Sequence, residues 1–520
     1  MNSLLRRRML VLICVLALVV TIFAGCAGNN EAEETTAAPA AGEVKGETKA
    51  AELAAEVKEE PLDLTWMAIL YTTAPPSDVV LSKLEEATNT KLNITWIPDA
   101  VKEDKINIAL ASNTLAKVVT IQDIKNSAYL NAARAGMFWE VGPYLKDYPN
   151  LSQMNETILA NSAIDGKNYG IYRERDLSRQ GIIIRKDWLE KVGLPEPKTL
   201  DDLYNVLKAF KEKDPDGNGK NDTFGMPDRN DLKFGLFKTV ASYHGTPNDW
   251  GLKDGKLAPE FMFDEYVNTM KYVKKLYDEG LINEDFAVSS KQQQWDYFTT
   301  EKAGIYIGNM DDSKNLKNTL LKVNPNAQLD LINRIEGPDG KPHVWSQAGH
   351  NGVFVFPKSE VKTEEELKRI LAFFDKLGEP EMYRLTQLGL ESVHYNTVDG
   401  KFFELIKDAD AVREVDVRPL ASIQGLKPEV LKPANDPLKE KNTELNDDNV
   451  NFIVPNPAEA LQSATFSEKG NEMKKIIDDA TYKFILSSID EAGFQAEIEK
   501  WKAQGGDQVI AEYNEAYAKK

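Results

Sequence analysis

The hydrophobic positions at the start of the folded chain switch repeatedly between two periods. Apolar residues recur at every second position over 62–70 and over 92–96, which predicts two strands. Between them, apolar residues recur at helical spacing over 80–87, and a further helix over 102–111 precedes a strand over 117–121. Strands that alternate with helices are typical of an α/β domain with a mostly parallel sheet.

The same alternation continues through the rest of the chain. Short apolar runs at 182–184, 303–308 and 352–356 predict buried strands, and the pattern over 263–279 predicts a long helix that ends at Gly280. The final part of the chain is mostly helical by the same criterion, and no internal repeat is visible. We therefore expect α/β architecture throughout the folded part.

A different pattern precedes the folded part. Arg6–Arg8 stand before an apolar run of 15 residues, Met9–Phe23, which is followed by small residues and Cys26. A basic start, an apolar run shorter than the roughly 20 residues of a membrane span, and a small-residue cleavage site are the parts of a secretory signal. We predict a lipoprotein signal peptide over 1–25 and lipidation of Cys26, palmitate included. An uncleaved membrane anchor is the alternative, and Phe23 stands where such signals usually have leucine.

Residues 26–60 are rich in Ala, Glu, Thr, Gly and Lys and cannot form a core. A flexible chain of this length reaches about 30 Å, which is enough to hold a folded body clear of a membrane. We predict a lipidated tether that places the protein on the outer face of the cytoplasmic membrane. Cleavage removes Cys14 and lipidation uses Cys26, so no thiol is left for a disulfide and the body over 61–520 depends on its core.

Charge and missing motifs narrow the function. The formal net charge of −19 disfavours nucleic acid and anionic lipid head groups as partners. The sequence has no phosphate-binding Gly-Lys-Ser/Thr loop, nucleophile elbow, His-Glu-x-x-His or Cys-x-x-Cys motif. A carboxylate pair for glycoside hydrolysis cannot be identified among 82 acidic residues. We predict a monomeric binding protein that has no nucleic-acid partner and is not an enzyme.

The sharpest local motif lies between Asp214 and Asp222. Oxygen donors alternate along it at the spacing with which a tight loop wraps one hard cation, and Gly219 occupies the turn position. Gly225 stands where a standard EF-hand loop has a glutamate. We predict one structural Ca²⁺, and a polar turn without a metal is the alternative. The predicted ligands are Asp214, Asp216, Asn218, the Lys220 carbonyl and Asp222.

Several aromatic residues stand next to polar ones. Trp250 follows a Pro-Asn-Asp run, Trp345 precedes a Ser-Gln pair, and Tyr395 lies between a histidine and an asparagine. Flat ring faces beside amide and carboxylate groups suit sugars, which offer apolar ring faces and many hydroxyls. Packing in a core is the alternative for each aromatic residue alone, but the group as a whole indicates a carbohydrate site.

Several short stretches of the folded part carry motifs in a fixed order. They are Trp188–Pro195, Asp214–Gly225, Gly245–Trp250, Leu276–Ile282, Asp285–Phe286, Ala303–Gly304, Gly308–Asn309, Gly389–Gly400 and Trp501–Tyr517. In this order they resemble family 1 extracellular solute-binding proteins, in the lipoprotein branch that serves carbohydrate ABC importers of Gram-positive bacteria. The resemblance implies an α/β, two-lobed fold of the type II periplasmic-binding-protein kind. Each lobe would be a mostly parallel sheet flanked by helices, with a hinge between the lobes.

The resemblance also implies a lobe assignment and a site. Lobe one would comprise 61–175 and 349–420, and lobe two would comprise 176–348 and 421–520. Strand-end residues of both lobes are expected to line the cleft, where aromatic rings stack on sugars and polar side chains meet hydroxyls. The expected cleft residues are Tyr71, Asp123, Trp250, Asn309, Asp311, Trp345, His350 and Tyr395.

The resemblance bears on calcium as well. Similar proteins that bind alginate oligosaccharides have a comparable structural calcium loop, in which an acidic ligand follows the last aspartate. Here Thr223 follows Asp222 and is the expected sixth ligand.

The implied function is capture of an oligosaccharide and its delivery to an ABC-type permease. Two alternatives from other classes are an extracellular carbohydrate-active enzyme, either hydrolase or lyase, and a ligand sensor that feeds a signalling kinase. The sequence leaves the identity, length and charge of the glycan open, and peptides remain possible ligands.

Overall fold

The computed structural model describes residues 60–429, 431–434 and 436–519. The predicted signal peptide, Cys26 and the predicted tether up to residue 59 lie outside the described residues. Within the described ranges, no helix combines the length and the apolar character needed to cross a membrane.

Short strands and helices alternate along the described chain. The strands are β1 (Leu62–Leu70), β2 (Thr90–Pro98), β3 (Val118–Ile121), β4 (Gly170–Glu174), β5 (Gln180–Arg185), β6 (Trp250–Lys253), β7 (Lys256–Pro259), β8 (Ile305–Asn309), β9 (Leu329–Ile332), β10 (Val344–Trp345), β11 (His350–Val355), β12 (Tyr395–Val398), β13 (Phe402–Leu405), β14 (Lys432–Pro433) and β15 (Ile453–Val454).

Helices follow most strands of the two large sheets and form most of the C-terminal end of the chain. They are α1 (Asp78–Thr88), α2 (Lys102–Ser112), α3 (Ser127–Arg134), α4 (Glu156–Asn161), α5 (Lys186–Val192), α6 (Leu200–Glu212), α7 (Leu236–Tyr243), α8 (Asp264–Asp278), α9 (Lys291–Thr299), α10 (Ser313–Val323), α11 (Glu364–Leu377), α12 (Pro380–Gln387), α13 (Asp410–Asp416), α14 (Pro437–Asn449), α15 (Ala464–Ile485), α16 (Glu491–Trp501) and α17 (Asp507–Tyr517).

One hydrophobic core surrounds a five-stranded sheet of order β2-β1-β3-β11-β4. Strand β1 pairs in parallel with β2 and β3, whereas β11 runs antiparallel to both of its neighbours. Trp66 is fully buried at its centre, edge-on to Phe354 at 5.0 Å, and its indole N–H donates to Thr120 at 3.1 Å. We call the part of the molecule built around this core lobe one.

A second core surrounds a three-stranded sheet of order β8-β5-β9, and we call this part lobe two. Ile182 and Ile184 of β5 face the larger core of this lobe, which helices α6, α8 and α15 cover. Ile183 faces a smaller core on the opposite side of the sheet. Strand β5 is therefore buried on both faces, because successive side chains point to opposite sides of a sheet.

Four of the five strands of the lobe-one sheet run in one direction, as expected, but each of the two large sheets contains one strand that runs against its neighbours. In lobe two, β5 is antiparallel to both β8 and β9, and in lobe one β11 is antiparallel. The chain enters β5 and β11 directly from the other lobe. Neither strand is reached through the helical crossover that joins parallel neighbours, so nothing imposes a parallel direction on them.

Two of the segments that pass between the lobes pair with each other. Residues 175–179 connect β4 to β5, and residues 346–349 connect β10 to β11. The Arg175 amide donates to the Gly349 carbonyl at 2.8 Å, and the Gln347 amide donates to the Leu177 carbonyl at 2.6 Å. We call this pair the crossing segments. They connect the two lobes and are hydrogen-bonded to each other.

Candidate functional site

The carboxyl ends of β1, β3 and β4 lie at the same edge of the lobe-one sheet, where β11 begins. Ligands of open α/β sheets bind at this kind of edge. The side chains that meet there are Tyr71, Gln122, Arg173 and Asn351, and we call them the strand-end cluster. The Tyr71 hydroxyl donates to Gln122 at 3.2 Å and accepts from Arg173 at 3.3 Å and from Asn351 at 3.4 Å. The cluster presents amide, hydroxyl and guanidinium groups of the kind that bind sugar hydroxyls.

A cavity of about 320 Å³ adjoins this cluster, and we call it the junction cavity. Lobe one lines it with Arg173, Asn351, Tyr383 and Gln424, the crossing segment adds Arg175 and Arg179, and lobe two adds Asp311 and Lys439. Because both lobes contribute walls, a change in their separation would change the shape of this cavity.

Arginines dominate the crossing-segment wall of the junction cavity. Arg179 donates to Asp311 at 3.2 Å and to the Gln347 amide oxygen at 3.4 Å. Desolvation alone would raise the pKa of the Asp311 carboxyl, but Lys439 and Arg179 outweigh it and lower that pKa. Arg175 is exposed overall, yet desolvation inside the cavity, together with Arg179 and Arg173, lowers its pKa. The wall is therefore crowded with positive charge.

A second cavity of about 300 Å³ lies in lobe two, and we call it the lobe-two cavity. Its walls are mainly aromatic and include Phe261, Tyr266, Trp501 and Tyr513. Trp250 lines it too, is 8% exposed, and packs against Tyr513 with ring centres 4.7 Å apart.

A buried ion cluster closes one side of the lobe-two cavity. The Lys238 ammonium lies 2.6 Å from Asp249 and 2.5 Å from Glu260, and the lysine is only 6% exposed on its side chain. Burial raises the pKa of Glu260, whereas Lys238 outweighs burial at Asp249 and holds the pKa of that carboxyl below its usual range. One ammonium therefore serves two carboxylates here.

The structure separates the sequence-predicted cleft residues into groups. Tyr71 and Asp311 belong to the strand-end cluster and the junction cavity, whereas Trp250 lies in the lobe-two cavity. Asp123 follows β3 and accepts from the Lys125 amide at 2.9 Å, and Asn309 ends β8 and accepts from the Asp311 amide at 3.0 Å. Both of these side chains thus stabilise turns at strand ends.

The remaining three predicted residues are more enclosed. His350 begins β11; its Nδ1 accepts from the Gly352 amide at 3.2 Å, and burial lowers its pKa. Trp345 is 1% exposed, and its indole N–H donates to the Thr239 hydroxyl at 3.1 Å. Its ring is therefore packed inside the protein and offers no exposed face to a ligand. Tyr395 is buried at the start of β12 and lines neither of the two cavities.

The arginines beside the junction cavity were not predicted from the sequence. Arg173 near the end of β4, and Arg175 and Arg179 in the crossing segment, stand within seven residues of the chain. Three positively charged residues close together in the sequence were the signal that could have been used. In the sequence alone such a run resembles an ordinary solvated turn, and only the fold brings Asp311, Asn351 and Lys439 beside it.

The predicted calcium loop forms a compact turn. The Asn218 side-chain amide donates to Asp216 at 2.6 Å and to Asp222 at 3.1 Å, so these acidic groups converge on one point, and Asp214 accepts from the Gly217 and Gly219 amides. Carboxylate and amide oxygens suit a hard cation such as Ca²⁺. In the described part of the chain, however, no group of three or more His, Cys, Asp or Glu residues is arranged to hold a metal ion.

Thr223 does not join this convergence. It is 6% exposed, and its hydroxyl donates to the Phe210 carbonyl at 2.7 Å, away from the acidic side chains. Asp222 in turn lies 2.6 Å from Lys302. The side chains that converge in this turn are therefore those of Asp214, Asp216, Asn218 and Asp222.

Comparison with known proteins gives consistent matches. Residues 71–383 match the family model for bacterial extracellular solute-binding protein. The chain is 52% identical over 511 residues to the polygalacturonan/rhamnogalacturonan-binding protein YtcQ of Bacillus subtilis (strain 168), with 98% of each chain covered. It is 40% identical to Lipoprotein LipO of the same organism, over 87% of this chain and 91% of that one. Among solved structures, it is similar to alginate-binding protein AlgQ2 without calcium ion, with a TM-score of 0.61, 18% identity and coverage of 88% and 98%.

Proposed function

Because the chain belongs to the family of bacterial extracellular solute-binding proteins, we propose that it captures an oligosaccharide between its lobes and delivers it to an ABC-type permease. The junction cavity carries this proposal, since both lobes line it and the strand-end cluster adjoins it. A ligand that touches both lobes favours the arrangement in which they approach each other, and closure creates a surface that a permease can recognise.

Family membership confirms two predictions made from the sequence, the two-lobed fold and the absence of an enzymatic role. We also propose which residues contact the ligand. Tyr71 and Asp311 would meet the sugar at the junction cavity, with Asp123, Asn309 and His350 around the strand ends. Trp250 would act only if the ligand extends to the lobe-two cavity.

The name of the relative YtcQ supports a glycan of the pectin class as the ligand, namely a fragment of polygalacturonan or rhamnogalacturonan. The strand-end cluster supports the same class, because its amide, hydroxyl and guanidinium groups match a ligand with many hydroxyls.

A binding and turnover experiment tests the function. At a hundredfold excess over the dissociation constant, a bound oligosaccharide adds about 2.7 kcal/mol of stability, which appears as a rise in melting temperature. We expect at least one member of a panel of oligogalacturonides, rhamnogalacturonan fragments and neutral glycans to give this rise and to be recovered unchanged. A panel without any hit, together with a peptide that raises the melting temperature, would overturn the sugar assignment. Chemically altered glycan would overturn the binding-only role.

The proposed location is the outer face of the cytoplasmic membrane, where Cys26 carries a lipid and residues 26–60 form the tether. The signal pattern before Cys26 and the name of the relative LipO support this. Wild type should incorporate labelled fatty acid, and Cys26→Ala should lose the label. A mature protein that begins elsewhere and carries no label would contradict the anchor.

We also propose one structural Ca²⁺ in the Asp214–Asp222 loop. Side-chain oxygens of Asp214, Asp216, Asn218 and Asp222, with the Lys220 carbonyl, would hold it, because the hydrogen bonds of Asn218 bring these groups together. Bound calcium would neutralise the convergent carboxylates and fix the turn after α6.

A further inference from the structure

The charges of the junction cavity do not balance. Five cationic residues line it, against the three acidic residues Glu174, Asp176 and Asp311. The chain as a whole carries a net charge of −19, so a positive cavity runs against the general composition. The five cations are Arg173, Arg175, Arg179, Lys427 and Lys439.

The acidic residues are already used by some of these cations. Lys427 pairs with Asp176 at 2.7 Å, while Arg179 at 3.2 Å and Lys439 at 3.7 Å share Asp311. Glu174 accepts from the Lys427 backbone amide at 2.9 Å. Arg173 and Arg175 are therefore left without a carboxylate partner among the described residues.

These two arginines are held differently. Arg173 is 5% exposed and donates only to neutral oxygens, the Tyr71 hydroxyl at 3.3 Å and the Asn351 carbonyl at 3.2 Å. Its Nε is buried and has no partner among the described residues. The Arg175 side chain makes no hydrogen bond or ion pair within the described ranges, and Arg179 and Arg173 repel it. A guanidinium fork is thus free at the cavity wall.

The lobe-two cavity shows that this imbalance is particular to the junction. Its four lysines face four acidic residues, and the deepest of them, Lys238, already serves both Asp249 and Glu260. A carboxylate that entered there would meet acidic groups as well as aromatic rings. An added negative charge is therefore favoured in the junction cavity and not in the lobe-two cavity.

We propose that Arg175, supported by Arg173, binds a carboxylate of the ligand in the junction cavity, so that the protein selects oligosaccharides with free uronate groups. This rests on the proposed function and assigns the charge selectivity to one subsite. The guanidinium fork matches the two oxygens of a carboxylate, and a charge-assisted pair of hydrogen bonds is stronger than a neutral one. A methyl-esterified uronate would keep the sugar ring and lose this interaction.

Isothermal calorimetry with trigalacturonic acid and with its fully methyl-esterified form tests the subsite. Wild type should bind the acid more tightly than the ester. Arg175→Gln should weaken binding of the acid by about tenfold to a hundredfold, the range for one charge-assisted contact, and leave binding of the ester unchanged. Arg175→Lys should recover part of the loss, because it restores the charge without the fork.

Arg418→Gln is the matched control, because Arg418 is exposed, pairs with Glu414 at 3.0 Å, and lines neither of the two cavities. It should bind the acid as wild type does. If Arg175→Gln binds the acid as tightly as wild type, the subsite is overturned while oligosaccharide binding stands. If wild type binds neither compound and no other glycan, the proposed function fails and the subsite fails with it.

Discussion

The junction cavity and the lobe-two cavity have nearly the same volume, about 320 and 300 Å³, but opposite characters. The junction cavity is polar, is lined by both lobes, and contains two arginines, Arg173 and Arg175, that have no carboxylate partner in the part of the chain that the structure describes. The lobe-two cavity is walled by aromatic rings, and its lysines are matched by acidic residues. Volume alone would not distinguish them as sites.

The difference shows that burial and pairing decide whether a charged residue stabilises the fold or binds a ligand. In lobe two, the buried ammonium of Lys238 is matched by Glu260, which is 18% exposed, and by Asp249, which is 38% exposed, so these charges stabilise the fold. At the junction, the guanidinium of Arg175 has no hydrogen-bond or ion-pair partner among the described residues and is available to a ligand. We therefore expect substitutions in the first cavity to change stability and substitutions at the second to change binding.

The largest expected effect follows from Lys238→Met. Removal of the ammonium leaves Asp249 and Glu260 near each other without the charge of Lys238. Breaking a fully buried ion pair costs about 3–5 kcal/mol, and we expect a loss below the upper end of this range because water screens the Asp249 side chain, which is 38% exposed. The melting temperature of the unliganded protein, measured by calorimetry, should fall accordingly.

Lys474→Met is the control from the same cavity. Lys474 forms an exposed pair with Asp478, and such pairs contribute at most about 1 kcal/mol. Equal stability losses in the two variants would contradict the distinction between enclosed and open charges.

A pH-dependent change in stability is expected from Asp228 in lobe two. Asp228 is 3% exposed and accepts from the Leu236 amide at 2.9 Å. Burial raises its pKa from 3.8 to about 7, against the smaller lowering effects of the Leu236 amide and of Arg229. The folded state therefore holds the proton more tightly than the unfolded state. Stability should fall as the pH rises from about 4 to about 7, by at most about 4 kcal/mol, and then level off.

Denaturant unfolding at pH 5 and pH 8 measures this change, and Asp228→Asn should make it smaller because the amide does not titrate. Binding of an acidic glycan at the junction should vary little over the same range, since Arg175 and a carboxylate both stay charged. An identical pH profile in wild type and Asp228→Asn would contradict the assignment.

Removal of calcium should lower the stability of the protein and leave ligand binding in both cavities unchanged. Metal that saturates the Asp214–Asp222 loop a hundredfold over its dissociation constant adds about 2.7 kcal/mol, which a chelator would remove. Burial and the neighbouring Asp214 raise the pKa of Asp216, as expected for crowded carboxylates. Asp216→Ala should abolish the chelator effect on the melting temperature, whereas Asp296→Ala on α9 should retain it. If chelator does not change the melting curve of wild type, the loop is a polar turn without a metal.

Local patterns were sufficient to predict much of the fold. Strand β1 covers the predicted range 62–70, and helix α8 lies within one residue of each end of the predicted range 263–279. Helix α1 begins after Ser77 and helix α6 begins after Thr199. Each of these side chains accepts a hydrogen bond from a backbone amide two or three residues ahead, which is also a local contact. Period and capping depend on neighbours in sequence, so no tertiary information is needed.

The site depends on contacts between distant segments and was predicted only in part. Tyr71 and Asp311 follow strands, so their positions at sheet edges could be predicted. The burial of Trp345 depends on its bond to Thr239, more than a hundred residues away, and Arg175 stands out only when Lys427 and Asp176 are seen to pair with each other. Composition cannot show which charges are left unpaired.

The smallest expected effect distinguishes ring contact from hydrogen bonding at the strand-end cluster. Tyr71 is 46% exposed, so its ring is available to a sugar, and Arg173 lies over its other face at 5.7 Å. Tyr71→Ala should weaken oligosaccharide binding by about tenfold, the equivalent of roughly 1.4 kcal/mol, while the melting temperature of the unliganded protein changes little. Calorimetric titration with a glycan that binds wild type measures the change.

Tyr71→Phe keeps the ring and removes the hydroxyl that links Gln122, Arg173 and Asn351. If the ring carries the contact, this variant should bind nearly as wild type does, because the ring and its exposed face are unchanged. If Tyr71→Phe loses as much affinity as Tyr71→Ala, the hydroxyl network orients the site and the ring contributes little. If both variants bind with wild-type affinity, the sugar does not contact the strand ends. The aromatic walls of the lobe-two cavity would then be the better candidate for the sugar-binding site.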